Sequence, residues 1–169
     1  LSDLLKEFND KIILSCLFQV SFALSYLQKH LKFTHNDLHI DNIMHQKTDK
    51  LYLYYKFNNI YFKVPTHGYI FKIIDFGRAI FTFKDKLFFS DCFCKYGDAD
   101  GQYHYPINNF LYDKKDKEKK DIIQPNYHFD MCRLSMTILD ELNYSKYIDY
   151  KDNKYIIDYL YSLTIGNNI

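Results

Sequence analysis

The sequence predicts a mainly α-helical fold with short β-hairpins, and three stretches carry that expectation. Residues 10–31 repeat apolar side chains at spacings of three and four (Ile12, Ile13, Cys16, Leu17, Val20, Leu24, Leu27, Leu31), which gives a helix one stripe for a core. "FDMCRLSMTILDEL" does the same through Met131, Leu134, Ile138 and Leu142, and a last helix is expected over 154–164. Between the helices, "KLYLYYKFNNIYFKV" places two β-type runs around Asn58-Asn59. Asparagine tolerates the positive φ that a tight turn demands, so a hairpin follows.

The remaining elements follow in chain order. Pro65 and Gly68 punctuate the chain before "YIFKIIDFG", a short apolar β-type run that stops abruptly at Asp75-Phe76-Gly77. Residues 78–128 show weak periodicity, with Gly97, Gly101 and Pro106 and then "DKKDKEKKD" at 113–121, read as a solvated loop. No internal repeat or linker divides residues 1–169, so they are read as one unit.

Bulk properties remove several function classes. A net charge of +1 offers no global basic field for nucleic acid. No apolar run approaches the roughly 18 residues of a membrane span, and "LSDLLKEFNDK" lacks a signal-type apolar block. Cys16, Cys92, Cys94 and Cys132 form neither a disulfide framework nor a zinc pattern, which fits reduced thiols and an intracellular, cytoplasmic setting. Lysine appears twenty times, arginine twice and alanine three times, a bias that speaks of an AT-rich coding source. Residue 1 is Leu, so the sequence is expected to be an excerpt or an incomplete gene product.

The densest chemistry lies in "FTHNDLHIDNIM", residues 33–44. His35 and His39 stand four apart, but a zinc protease motif needs Glu directly after the first histidine, and Asn36 is there. Phosphate chemistry fits better. Phosphoryl transfer needs an acid to orient the attacking hydroxyl and oxygen ligands to hold magnesium against the phosphates. "HNDLHIDN" supplies His35, Asp37 and Leu38, then three residues, then Asn42. Asp75-Phe76-Gly77 follows at the end of an apolar strand.

These motifs together resemble the large, C-terminal lobe of the protein-kinase superfamily over residues from about 10 to 142, with a catalytic loop at 35–42, the Asp-Phe-Gly turn at 75–77 and a central helix from about 130. The pairing of "HNDLHIDNIM" with "IIDFGRA" is most similar to divergent serine/threonine kinases of large DNA viruses, which would place the protein in a host cell or virion. The resemblance implies that Asp37 accepts the hydroxyl proton, that His39 stands where a lysine touches the transferring phosphate, and that Asn42 and Asp75 hold magnesium and thereby the nucleotide. It further implies that His35 braces the Asp-Phe-Gly turn, that Phe76 and Gly77 are its packing and hinge positions, and that Asp130 ties down the catalytic-loop backbone. ATP and Mg2+ would be the cofactors and a protein the acceptor.

The departures matter as much. Asn36 replaces the arginine that pairs with a phosphorylated activation loop, which weakens that mode of switching. The "DLH" form is also similar to small-molecule kinases acting on aminoglycosides or choline. No Ala-Pro-Glu closes the activation segment; Pro125 in "QPNYHFD" is its one echo. None of the five glycines forms a glycine-rich phosphate loop, and only 34 residues precede His35. The ATP-roofing small lobe is therefore expected to be absent from this chain, leaving it inactive on its own. A non-catalytic binding lobe is the third reading. Arg78 could meet a phosphate or order its loop, His104 and His128 read as ordinary polar positions, and the tyrosines around 52–61 read as a half-buried hairpin.

Overall fold

A computed structural model describes residues 1–5, 9–90, 92, 96–99, 126–144 and 153–165. The charged run at 113–121, Cys94, Gly101, His104, Pro106 and Pro125 lie outside them. Among the described residues the helices are α1 (Ser2–Leu5), α2 (Asp10–Leu31), α3 (Phe129–Tyr144) and α4 (Lys154–Thr164). The apolar spacing located α2 and α4 to the residue.

α2 starts where Asn9 accepts from the Lys11 and Ile12 amides at 3.1 and 3.3 Å, filling two of the donors a helix start leaves empty. It stops where Lys32 turns left-handed at φ 48°. Its stripe of Ile13, Cys16, Leu17, Val20 and Leu24 enters the core with Leu134, Ile138 and Leu142 of α3 and Ile156, Ile157 and Leu160 of α4. Each such side chain contributes roughly 1.5–3 kcal/mol by leaving water. Among the described residues α2 has the length and, at 1.3, the mean hydropathy of a bilayer-crossing helix, a combination that the core helix of a water-soluble fold also reaches.

The strands overturn the mainly α expectation. About 48% of the described structure is helical and 24% is strand, in six short antiparallel strands. β1 (Ile43–Lys47) pairs with β4 (Tyr69–Ile73), Ile43 opposite Ile73 and Lys47 opposite Tyr69. β2 (Tyr52–Phe57) and β3 (Ile60–Pro65) form the expected hairpin, with Asn58 and Asn59 at φ 49° and 63°. β5 (Phe81–Phe83) and β6 (Lys86–Phe88) form a third pair in the region of weak periodicity. Tyr, Phe and Ile between residues 43 and 88 suit pleated, half-buried surfaces, so that span folds as strands and not as connections between helices.

Gln19 fastens α2 to this β layer. Its buried amide oxygen accepts from the Phe71 N–H at 2.9 Å and its amide nitrogen donates to the Tyr69 carbonyl at 3.3 Å. The side chain thus closes the open edge of β4 as a neighbouring strand would. That fixes β4, and with β4 the turn that follows it.

Candidate functional site

The loop from Phe33 to Asn42 is held from three directions. Leu38 is fully buried and Ile40 nearly so, which pins the loop by its apolar side chains. The Asp130 carboxylate in the first turn of α3 accepts from the His35 and Asn36 amides at 2.7 and 2.8 Å. Thr34 exchanges backbone hydrogen bonds with Ile80 at 2.8 and 2.9 Å, tying the loop to the chain beyond Gly77. Burial pushes the Asp130 carboxyl up from its ordinary value, while the two N–H donors pull the other way.

His35 is completely buried and spends both ring nitrogens inside the fold. Nδ1 accepts from the Asp37 amide at 3.3 Å and Nε2 donates to the Ile74 carbonyl at 2.9 Å. Its ring also meets Phe76 at 5.4 Å between centroids, and Phe33 meets Phe76 at 5.9 Å. The histidine therefore packs against the turn after β4. Phe76 remains half exposed.

Strain in that turn falls on Asp75 and not on the glycine. Asp75 is left-handed at φ 61° and ψ 73°, a region that asparagine and aspartate tolerate best among residues with a Cβ. Gly77 is not among the positive-φ residues. Its lack of a side chain serves a close approach, because a Cβ there would sit 3.2 Å from Asp75 Oδ1. The Gly77 amide donates to that same oxygen at 3.3 Å.

Asn42 joins the two halves. Its side-chain nitrogen donates to the Asp37 carbonyl at 2.9 Å, and its own carbonyl accepts from the Ile74 amide at 3.0 Å. Ile74 immediately precedes Asp75, so the end of the loop and the start of the turn are stitched together at the Ile43–Ile73 end of the β1–β4 ladder. Asp37, Asn42 and Asp75 consequently occupy one end of one two-stranded ladder, although they are scattered along the sequence.

Asp37 itself is gripped on one side. Oδ1 receives Arg133 Nη2 at 2.9 Å and Arg78 Nη1 at 3.4 Å. Oδ2 faces His39 Nε2 at 4.0 Å. Sequence reasoning missed Arg133 altogether and left Arg78 open. The scarcity of arginine was a signal: the chain has two, and both meet this one carboxylate. Arg78 is placed by Asn36, whose left-handed backbone (φ 64°) lets its amide nitrogen donate to the Arg78 carbonyl at 3.0 Å.

His39 is less free than expected. Its Nε2 lies 3.1 Å from Asn42 Nδ2, and its Nδ1 lies 3.3 Å from the Asp41 amide. Both neighbours are donors, and a neutral imidazole has one lone pair to offer, so only one of these bonds forms at a time. The ring is occupied with organising the loop before any phosphate arrives.

The donor set suits magnesium. Asn42 turns its nitrogen to Asp37 and so leaves its amide oxygen for another partner, and Asp75 keeps one carboxylate oxygen clear of the Gly77 bond. An amide oxygen with a carboxylate oxygen is what a small, hard cation selects, with water and phosphate completing its shell. Among the described residues no group of three or more His, Cys, Asp or Glu could hold a metal ion.

No family model matches the chain. It is 42% identical over 88 residues, 49% of its length, to an uncharacterized protein, 098R, of Invertebrate iridescent virus 6. It is 31% identical over 119 residues, 58% of its length, to the serine/threonine-protein kinase haspin of Mus musculus. It is 39% identical over 82 residues, 43% of its length, to a probable serine/threonine-protein kinase of Dictyostelium discoideum. These matches cover 14%, 16% and 6% of the respective relatives. They give the chain a distant, partial relation to serine/threonine kinases and to a viral protein.

Proposed function

We propose that the chain carries the catalytic-loop side of a protein kinase active site, which transfers the γ-phosphate of ATP to a serine or threonine hydroxyl. Asn42 carries the reading, because it bonds to Asp37 with its side chain and to the Asp75 turn with its backbone. That pair of hydrogen bonds supports a site in which the proton acceptor and the cation ligands are set by one residue. The partial likeness to two serine/threonine kinases supports the same class. In the domain reading, residues 1–169 are part of a kinase domain whose nucleotide roof belongs to a longer chain, and ATP use puts the work inside a cell.

The step is simple in outline. Asp37 Oδ2, the oxygen that the two arginines leave open, takes the acceptor's hydroxyl proton. The alcohol oxygen bonds to the γ-phosphorus, the bond to the β–γ bridging oxygen breaks, and ADP leaves with that electron pair. Arg133 and Arg78 keep the carboxylate from rotating, so the accepting oxygen is already aimed. Bound between Asn42 and Asp75, magnesium would offset the charge of the phosphates.

The test is transfer of labelled γ-phosphate by the longest natural chain, with casein and histone offered beside aminoglycosides and choline. Labelled serine or threonine in the proteins is expected, with Asp37→Ala costing roughly 10²–10⁴-fold and Asp75→Ala losing magnesium dependence. Labelling of the small molecules alone would move the assignment to that class. Equal labelling by parent and Asp37→Ala would refute both.

A further inference from the structure

A second site lies away from this chemistry, between the first half of α2 and the β2–β3 hairpin. The cleft there has a volume of about 720 Å3. Leu14, Phe18, Phe62 and Val64 make its apolar walls, with the Phe18 and Phe62 rings 5.5 Å apart. Lys11 and Lys63 supply its positive charge, the Lys63 ammonium lying 4.0 Å from the Tyr52 ring, and among the described residues no Asp or Glu lines it. Asp10, the nearest carboxylate on α2, is taken by the Tyr155 hydroxyl.

One wall is unusual because Tyr61 through Pro65 all contribute to it without a gap. Alternate residues of a strand point to opposite faces, so an unbroken run lines a cleft when the strand presents its edge. The hairpin register says which edge. With two turn residues at positive φ, Phe57 and Ile60 form the closing hydrogen-bonded pair, and bonding alternates from there. Tyr55–Phe62 and Leu53–Val64 are then bonded, while Tyr61, Lys63 and Pro65 turn their backbone groups outward. The outward Pro65 carbonyl accepts from Ser15 Oγ of α2 at 2.7 Å, which puts that edge on the cleft side. Among the described residues the N–H and C=O groups of Tyr61 and Lys63 have no such partner.

We infer that the cleft binds an extended acidic peptide segment of a partner protein, which adds a strand to the β3 edge. Two N–H and two C=O groups await it, and the apolar walls receive every second side chain. The cation set selects its charge. Lys63 on the edge and Lys11 on the facing helix repel a second copy of this same edge and attract carboxylates, so charge favours a partner over self-pairing. Pro65 has no N–H to give and ends the ladder, which limits the added strand to the stretch opposite 60–64. This site is independent of phosphotransfer.

The test is fluorescence anisotropy of the full chain with a labelled seven-residue peptide alternating Glu with Val and Phe. Three comparisons accompany it: the same peptide with Lys for Glu, the same peptide N-methylated at alternate amides, and a Lys11→Glu/Lys63→Glu variant whose melting curve matches the parent. Saturable binding of the acidic peptide is expected, weakened about ten-fold or more by each change. Equal binding of acidic and basic peptides, or indifference to N-methylation, would overturn the proposal. So would a dimer, seen in sedimentation, that the acidic peptide cannot dissociate.

Discussion

Asp130 reaches across 95 positions of sequence to accept the main-chain N–H of His35 at 2.7 Å. The same carboxylate takes the Asn36 amide, so one buried side chain satisfies two consecutive backbone donors of the reactive loop. Asp130→Ala leaves both donors buried without partners, and about 2–5 kcal/mol of stability is expected to go. Asp130→Asn is expected to recover less than half of that, because its amide nitrogen would face one of the two donors. Urea denaturation of the three proteins measures both values.

Arg133 Nη2 lies 2.9 Å from Asp37 Oδ1, on a side chain that is one-third exposed. A pair so open to water adds less than about 1 kcal/mol to stability. Its value is geometric, and a lysine cannot reproduce the planar fork. In an active longer chain, Arg133→Lys and Arg133→Met are therefore expected to lower kcat about ten-fold or more while KM for ATP stays within about two-fold. A matched loss in KM, or a large fall in melting temperature, would contradict this.

Cys16 is wholly buried on α2, and burial pushes its thiol up to about 12. The thiolate is the reactive form, so a disulfide reagent at pH 8 is expected to leave Cys16 untouched in the folded chain and to modify it in urea. The sign is that of an acid whose folded pKa is raised: the thiol's contribution to stability is full below the ordinary value of 9.0 and is lost as pH climbs through the folded one. Thiol counts by mass spectrometry, native against unfolded, decide the matter.

Asn59 holds φ 63° in the β2–β3 turn. Asn59→Val places a β-branched side chain where the backbone is left-handed and is expected to cost about 1–2 kcal/mol. Asn59→Gly is expected to be neutral or slightly stabilising. Thermal melts of the two variants would show the difference, and a Val variant as stable as the parent would deny the turn.

The sequence made some of this legible and hid the rest for physical reasons. α2 and α4 were readable because their apolar spacing is local and uninterrupted. Asp37 and Asn42 drew attention because they fall in one contiguous run, which the fold keeps as a single loop. β1 was not, since "IMHQK" carries little β-type character and becomes a strand only against β4, beyond the whole hairpin. β5 and β6 were missed because Lys84 and Asp85 take φ 48° and 58°, and lysine gives no turn signal there. Arg133 was hidden by distance, because its position in the first turns of α3 says nothing of a carboxylate 96 residues earlier. The predicted helical dominance failed for the same reason, since strand pairing is decided between segments and not within them.

The Thr48 amide donates to the Gly68 carbonyl at 2.9 Å and closes the base of everything between β1 and β4. The β2–β3 hairpin therefore leaves and rejoins the chain at the end of the ladder opposite Asn42 and Ile74. The hairpin is held there on α2 by the Ser15–Pro65 bond and by Phe18 and Phe22 against Tyr55, Phe57 and Phe62. Changes in the hairpin thus bear first on its fit to α2, with the Asn42–Ile74 bond at the far end of the ladder.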